Sequence, residues 1–169
     1  MSSRLVRLAD LIDRFNRAVG HVAMWCALAM VLVQFTVVLM RYLLSIGSIW
    51  LQESIVYAHA AMFMLAAAWT LQVGGHVRVD IFYAGAPPRT RAWIDLVGTL
   101  VFLVPFAVVL AWLAWPYVAR SWAILERSRE ASGLPLVFLL KTLIPLLAVL
   151  LGLQGVAQAI RAWAVLVTR

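Results

Sequence analysis

Residues 22–40 read VAMWCALAMVLVQFTVVLM, an apolar run without one charged side chain. A helix rises about 1.5 Å per residue, so such a run crosses most of a hydrocarbon layer roughly 30 Å thick. Three further apolar runs follow it. With 65% of the 169 residues hydrophobic and 12% charged, and a mean hydropathy of +0.97, the chain carries more apolar surface than a water-soluble domain can hide. The expected spans are residues 20–44, 51–73, 93–118 and 135–160, one membrane domain over residues 1–169.

Before the first span, Leu5, Leu8, Ile12, Phe15 and Val19 recur every three or four residues, with Arg4, Arg7, Asp10, Asp13, Arg14 and Arg17 between them. That pattern predicts an amphipathic helix at the membrane interface. The run after it is too long for the core of a cleavable signal peptide and lacks a small-residue cleavage site, so the N-terminal stretch is expected to be retained. The linker Ser45 to Trp50 is short enough to make spans one and two antiparallel neighbours. Glycines, prolines and charges mark residues 74–91 as a loop outside the hydrocarbon, while Trp93, Trp112, Trp115 and Tyr117 lie toward the ends of span three, as interfacial aromatics do. Residues 120–133 read as a short surface helix or ordered loop, and Pro135 suits the first turn of span four. The fold class is therefore all-α, an integral membrane bundle of four transmembrane helices plus an N-terminal amphipathic interface helix.

A net charge of +7 could point to nucleic acid, but every basic residue except Lys141 is an Arg near the edge of an apolar run. No continuous basic face forms for phosphates, and membrane lipids with anionic head groups explain the pattern better. Arg4, Arg7, Arg14, Arg17, Arg78, Arg89, Arg91, Arg161 and Arg169 fall on one side; Arg41, Arg120, Arg127, Arg129 and Lys141 fall on the other. The richer side is expected to be cytoplasmic, with both termini there.

Ionisable groups inside spans are functional candidates by default, yet here they cluster near span ends. Arg41 closes span one and Glu53 opens span two, so they either form an ion pair or snorkel separately to water. Asp95 and Lys141 reach an interface from their own span ends. His59 is the deepest titratable group: a haem ligand, a proton relay or an interhelical hydrogen-bonding group, the last favoured because neither His21 nor His76 lies deep. Gln34, Gln154 and Gln158 read as interhelical hydrogen-bonding groups. Pro105 and Pro145 mark bends or tolerated kinks. No nucleophile has a positioned base, no glycine loop precedes a phosphate-binding Lys, and no His or Cys spacing suits a metal. Lone Cys26 forms no internal disulfide. Neither catalysis nor a cofactor is expected.

The segment Leu71-Gln72-Val73-Gly74-Gly75-His76-Val77-Arg78-Val79-Asp80, the Pro-Pro-Arg turn at 87–89, and Trp93 to Leu96 resemble the signature loop of the small membrane (Q-type) subunits of tripartite ATP-independent periplasmic (TRAP) transporters. Arg41-Tyr42, Trp50 with Glu53, and Gly133-Leu134-Pro135 with Lys141, Ile144 and Pro145 are similar to the same family's pattern. Position 52 departs from it, with Gln52 where a second acidic residue is expected. The resemblance spans roughly residues 20–160 and implies a non-catalytic small permease subunit in a bacterial inner membrane. Its implied partners are a large multi-helix membrane transport subunit, which it braces, and a periplasmic solute-binding protein; the system would be secondary, sodium-coupled and directed to organic acids. Gly74, Gly75, His76, Arg78 and Asp80 then become a rigid loop or a contact with the large subunit, and Arg120, Glu126, Arg127, Arg129 and Glu130 a docking surface for the binding protein. Two other readings compete: the membrane anchor subunit of a redox complex, and a self-sufficient exporter, which needs an ionisable group facing a central cavity.

Overall fold

The computed structural model describes residues 3–77 and 83–167. They form helices α1 (Ser3–Leu44), α2 (Ile49–Gln72), α3 (Pro88–Gly98), α4 (Val104–Ala123) and α5 (Val137–Val167), with a π-helical turn, Thr99–Leu103, joining α3 to α4. Among the described residues four stretches are long and apolar enough to cross a membrane: α1, α2, the α3–α4 ribbon, and α5.

The amphipathic N-terminal stretch and the first span are one unbroken helix of 42 residues, about 63 Å long at 1.5 Å per residue. That is twice the hydrocarbon thickness, so only part of α1 spans it. In its first turns Leu5, Leu8, Leu11 and Phe15 are exposed, whereas Ala9, Ile12, Asp13 and Asn16 are buried. The exposed apolar side chains are those an interface helix turns to lipid, while Ile12 of the expected apolar stripe packs inward with Ala9. Polar partners on α5 take up Asp13 and Asn16, leaving the larger apolar side chains free to face lipid.

Ser45 takes a left-handed φ of 56° and Ser48 caps α2, its Oγ accepting from the Leu51 N–H at 3.4 Å. This tight turn returns α2 along α1. Their close approach needs Gly20, where an added Cβ would sit 2.7 Å from the Trp69 side chain. At the far end of α2, Gly74 has φ 69°, its N–H bonds Leu71 O at 3.1 Å, and Gly75 N–H bonds Thr70 O at 2.8 Å. Glycine pays no Cβ penalty in this left-handed helix stop.

The expected third span, 93–118, is exceeded at both ends by the ribbon from Pro88 to Ala123. Pro105 has no N–H to donate, and the π-helical turn just before it, in which Val104 N–H reaches back to Thr99 O, takes up the break without ending the ribbon. Pro116 also lies inside α4.

Helix α5 touches every other helix, while among the described residues α4 meets neither α1 nor α2. The described spans therefore form an open row rather than a closed ring, in which α1, α2 and α5 touch one another pairwise and the α3–α4 ribbon flanks α5 alone. Ala157 packs on Ala9 and Ile12 of α1, Leu150 and Leu151 on Ala68 of α2, and Ala162 on Ala92 and Leu96 of α3. Small residues at these seams let backbones approach closely, the usual basis of helix association where lipid removes the hydrophobic driving force.

Candidate functional site

Polar chemistry concentrates at the two ends of the row. At the end that holds the N-terminus of α1, Asn16 Nδ2 donates to Gln154 Oε1 at 2.7 Å, and Gln154 Nε2 donates to Asp13 Oδ1 at 2.9 Å. Arg161 of α5 completes the chain, donating to Asp10 at 2.9 Å and to Asp13. Asn16 and Gln154 are 1% and 4% exposed, so the amide pair stitches α1 to α5 in a setting with little competing water. Gln154 holds the interhelical role its position predicts.

Beside this network a cavity of about 430 Å³ opens between α2, α3 and α5, lined among others by Gln72, Arg91, Asp95, Gln158 and Arg161. Its charges already have partners on the chain. Asp95 accepts from the Tyr83 hydroxyl at 2.8 Å, and Arg91 donates to the carbonyls of Ala84 and Ala86. Arg91 also stacks on the Tyr83 ring, 5.5 Å from its centroid. Arg91 and Asp95 are thus each held in place by neutral partners on the chain.

At the opposite end two carboxylates fasten the connection between α4 and α5. Glu53 of α2 accepts from the Ser128 hydroxyl and from the Leu134 N–H. Gly133 lies against this latch: a Cβ there would run into Ser128 Oγ and come within 2.7 Å of Glu53 Oε1. Glu126 accepts from the Lys141 ammonium and the Ser121 hydroxyl. The Lys141 hydrogen bond above all, then that of Ser121, holds the Glu126 carboxyl below its ordinary pKa. Lys141 also sits 4.1 Å from the Tyr117 ring centroid, and Trp122 packs edge-on to Phe138 while its Nε1 donates to Thr142 Oγ1 at 2.8 Å.

Of the two arrangements expected for Arg41 and Glu53, an ion pair or two separate charges, the contacts described are those of separate charges. The turn between α1 and α2 leaves Arg41 exposed at the end of α1, and the Ser128 and Leu134 donors meet Glu53 instead. Of the charged outer stretch, Glu126 is committed to the latch, whereas Arg120, Arg127, Arg129 and Glu130 are exposed. Gly74 and Gly75 shape the α2 terminus and His76 is exposed beyond it; Arg78 and Asp80 lie outside the described residues. His59 and Gln34, expected between helices, are exposed and make no hydrogen bond with the described residues.

Sequence reading missed Asp13 and Asn16 as interhelical groups, and Ser121 and Ser128 as latch donors. A carboxylate and an amide three residues apart, facing a helix with Gln154 and Arg161 two turns apart, is the signal that carried the first pair. The serines leave none.

No solved structure matches this chain. A curated relative, the C4-dicarboxylate TRAP transporter small permease protein DctQ of Vibrio cholerae serotype O1, is 32% identical over 125 residues, 71% of this chain and 51% of that protein. The chain thus aligns with about half the length of that relative. Residues 30–165 match the family described as tripartite ATP-independent periplasmic transporters, DctQ component, and with four membrane-spanning stretches and no enzymatic role in that family, the chain belongs to the TRAP small permease subunits.

Proposed function

We propose that this protein is the static brace of a TRAP uptake system, holding the frame of a large multi-helix transport subunit while that subunit moves solute. The observation that carries this reading is the distribution of polar groups. They tie α1 to α5 at one end of the row and α2 to the α4–α5 connection at the other, and the deep ones, Gln34 and His59, face outward rather than into a path through the chain. A row locked this way resists shear but offers no alternating route.

The chain sits in the bacterial inner membrane with both termini cytoplasmic, as the excess of Arg at the α1 N-terminal end supports. The coupling ion and the solute site belong to the large subunit; a C4-dicarboxylate is the solute class, taken from the name of the relative. The exposed charges of Arg127, Arg129 and Glu130 meet the periplasmic binding protein, where opposite charges speed encounter. Gly74, Gly75 and His76 at the α2 terminus meet the large subunit.

Uptake of labelled dicarboxylate into proteoliposomes tests this. The chain alone gives no sodium-dependent uptake, and the large subunit with its binding protein is active only when the chain is added. Uptake by the chain alone overturns the reading.

A further inference from the structure

The outward faces of the row differ in chemistry. Along the α3–α4 ribbon the exposed side chains at depth are Phe102, Phe106, Val109, Trp112 and Leu113, and along α5 they are Leu146, Val149 and Val156. These are large hydrophobic side chains. The α1–α2 seam differs. Gln34 of α1 is exposed and lines a groove of about 530 Å³ with Val31, Phe35, Val38 and Ile55. His59, also exposed, is one turn beyond Ile55 on α2, so it flanks the same seam.

Depth follows from the antiparallel pairing. Gln34 is ten residues before the end of α1 at Leu44, and His59 ten residues after the start of α2 at Ile49, each about 15 Å along its helix. Both therefore lie near the middle of a layer roughly 30 Å thick. Neither has a hydrogen-bond partner among the described residues, whereas exposed Thr36 satisfies itself on Leu32 O at 2.9 Å. An imidazole and a carboxamide turned toward hydrocarbon at this depth are costly, and such groups are retained where a neighbouring helix completes them.

We propose that the α1–α2 seam at Gln34 and His59 is the docking face for a transmembrane helix of the large subunit, one that carries a hydroxyl, amide or carboxyl side chain at mid-membrane depth. The groove accepts the helix's apolar ridge, and the two polar groups fix its register. Partner helices bind here and lipid covers α4. The inference rests on the bracing role and goes further by assigning its face.

Photo-crosslinking in the native membrane tests it, with benzoylphenylalanine placed singly at positions 34, 59, 109 and 112 of the tagged full chain. Positions 34 and 59 give adducts with the large subunit, identified by peptide mass spectrometry, while 109 and 112 give none. Gln34→Leu with His59→Leu, a pair of apolar replacements that leave both end locks intact, lowers co-recovery of the large subunit about tenfold. Adducts only from 109 and 112, adducts at 34 and 59 with a second copy of this chain, or unchanged co-recovery overturn the assigned face while the bracing role stands. Absence of any large subunit in the purified material overturns both.

Discussion

Arg161 near the end of α5 closes on Asp13 in the first turns of α1, tying the two ends of the sequence into one interhelical lock. Asp13 is only 8% exposed, while the Arg161 side chain is 51% exposed, so the carboxylate depends on the guanidinium more than the reverse. Arg161→Leu is therefore expected to cost more than Asp13→Asn, which keeps an acceptor for Gln154. Removing one partner of a fully buried pair costs about 3–5 kcal/mol; the exposure of Arg161 brings the expectation to about 1–2 kcal/mol. Thermal unfolding of the two variants in detergent checks the order.

The Asn16–Gln154 pair is expected to be non-additive. Gln154→Leu strands the Asn16 amide, whose Oδ1 already lacks a partner, and costs about 1–3 kcal/mol. Adding Asn16→Leu then restores part of the loss, because the stranded amide is gone, while Asp13 loses the Gln154 donor in both variants and keeps Arg161. A double-mutant cycle on unfolding midpoints shows a coupling above about 0.5 kcal/mol.

Gly133→Ala drives a methyl group into Ser128 and Glu53. The latch between α2 and the α4–α5 connection must shift, at about 1–3 kcal/mol for overpacking. Faster hydrogen exchange across residues 126–134 is the expected sign, with exchange in α1 unchanged.

The Glu126–Lys141 contact responds to acid. Because the folded carboxyl lies below its ordinary pKa, its stabilisation is complete above the unfolded value and is lost as pH falls through the folded one. Hydrogen exchange of the 124–133 connection is expected to rise as pH drops below the usual carboxylate range. Lys141→Gln removes most of that dependence.

The four spans were legible because uninterrupted apolar length is a signal that tertiary context rarely overrides in lipid. Span two was bounded to within two residues of Ile49 and Gln72 by the short Ser45–Trp50 linker and the glycines at 74 and 75, both local signals. The continuity of α1 was hidden by its change from charged to apolar surface, which marks a change of solvent and not a helix end. The fate of Glu53 was equally hidden. Arg41 is near it in sequence, but Ser128 and Leu134 reach it from residues 75 and 81 positions away, a pairing set by how α5 packs on α2. Gln154 was recognised as interhelical from its depth alone, whereas His59 and Gln34, read the same way, face outward because the row does not close.

The most direct measurement is purification of the tagged chain from its native membrane in mild detergent, with mass spectrometry of what remains bound. Recovery of a much larger many-helix membrane protein in near-equal amount is the result a bracing subunit requires. Recovery of the chain alone, or with haem or flavin proteins in its place, would contradict it.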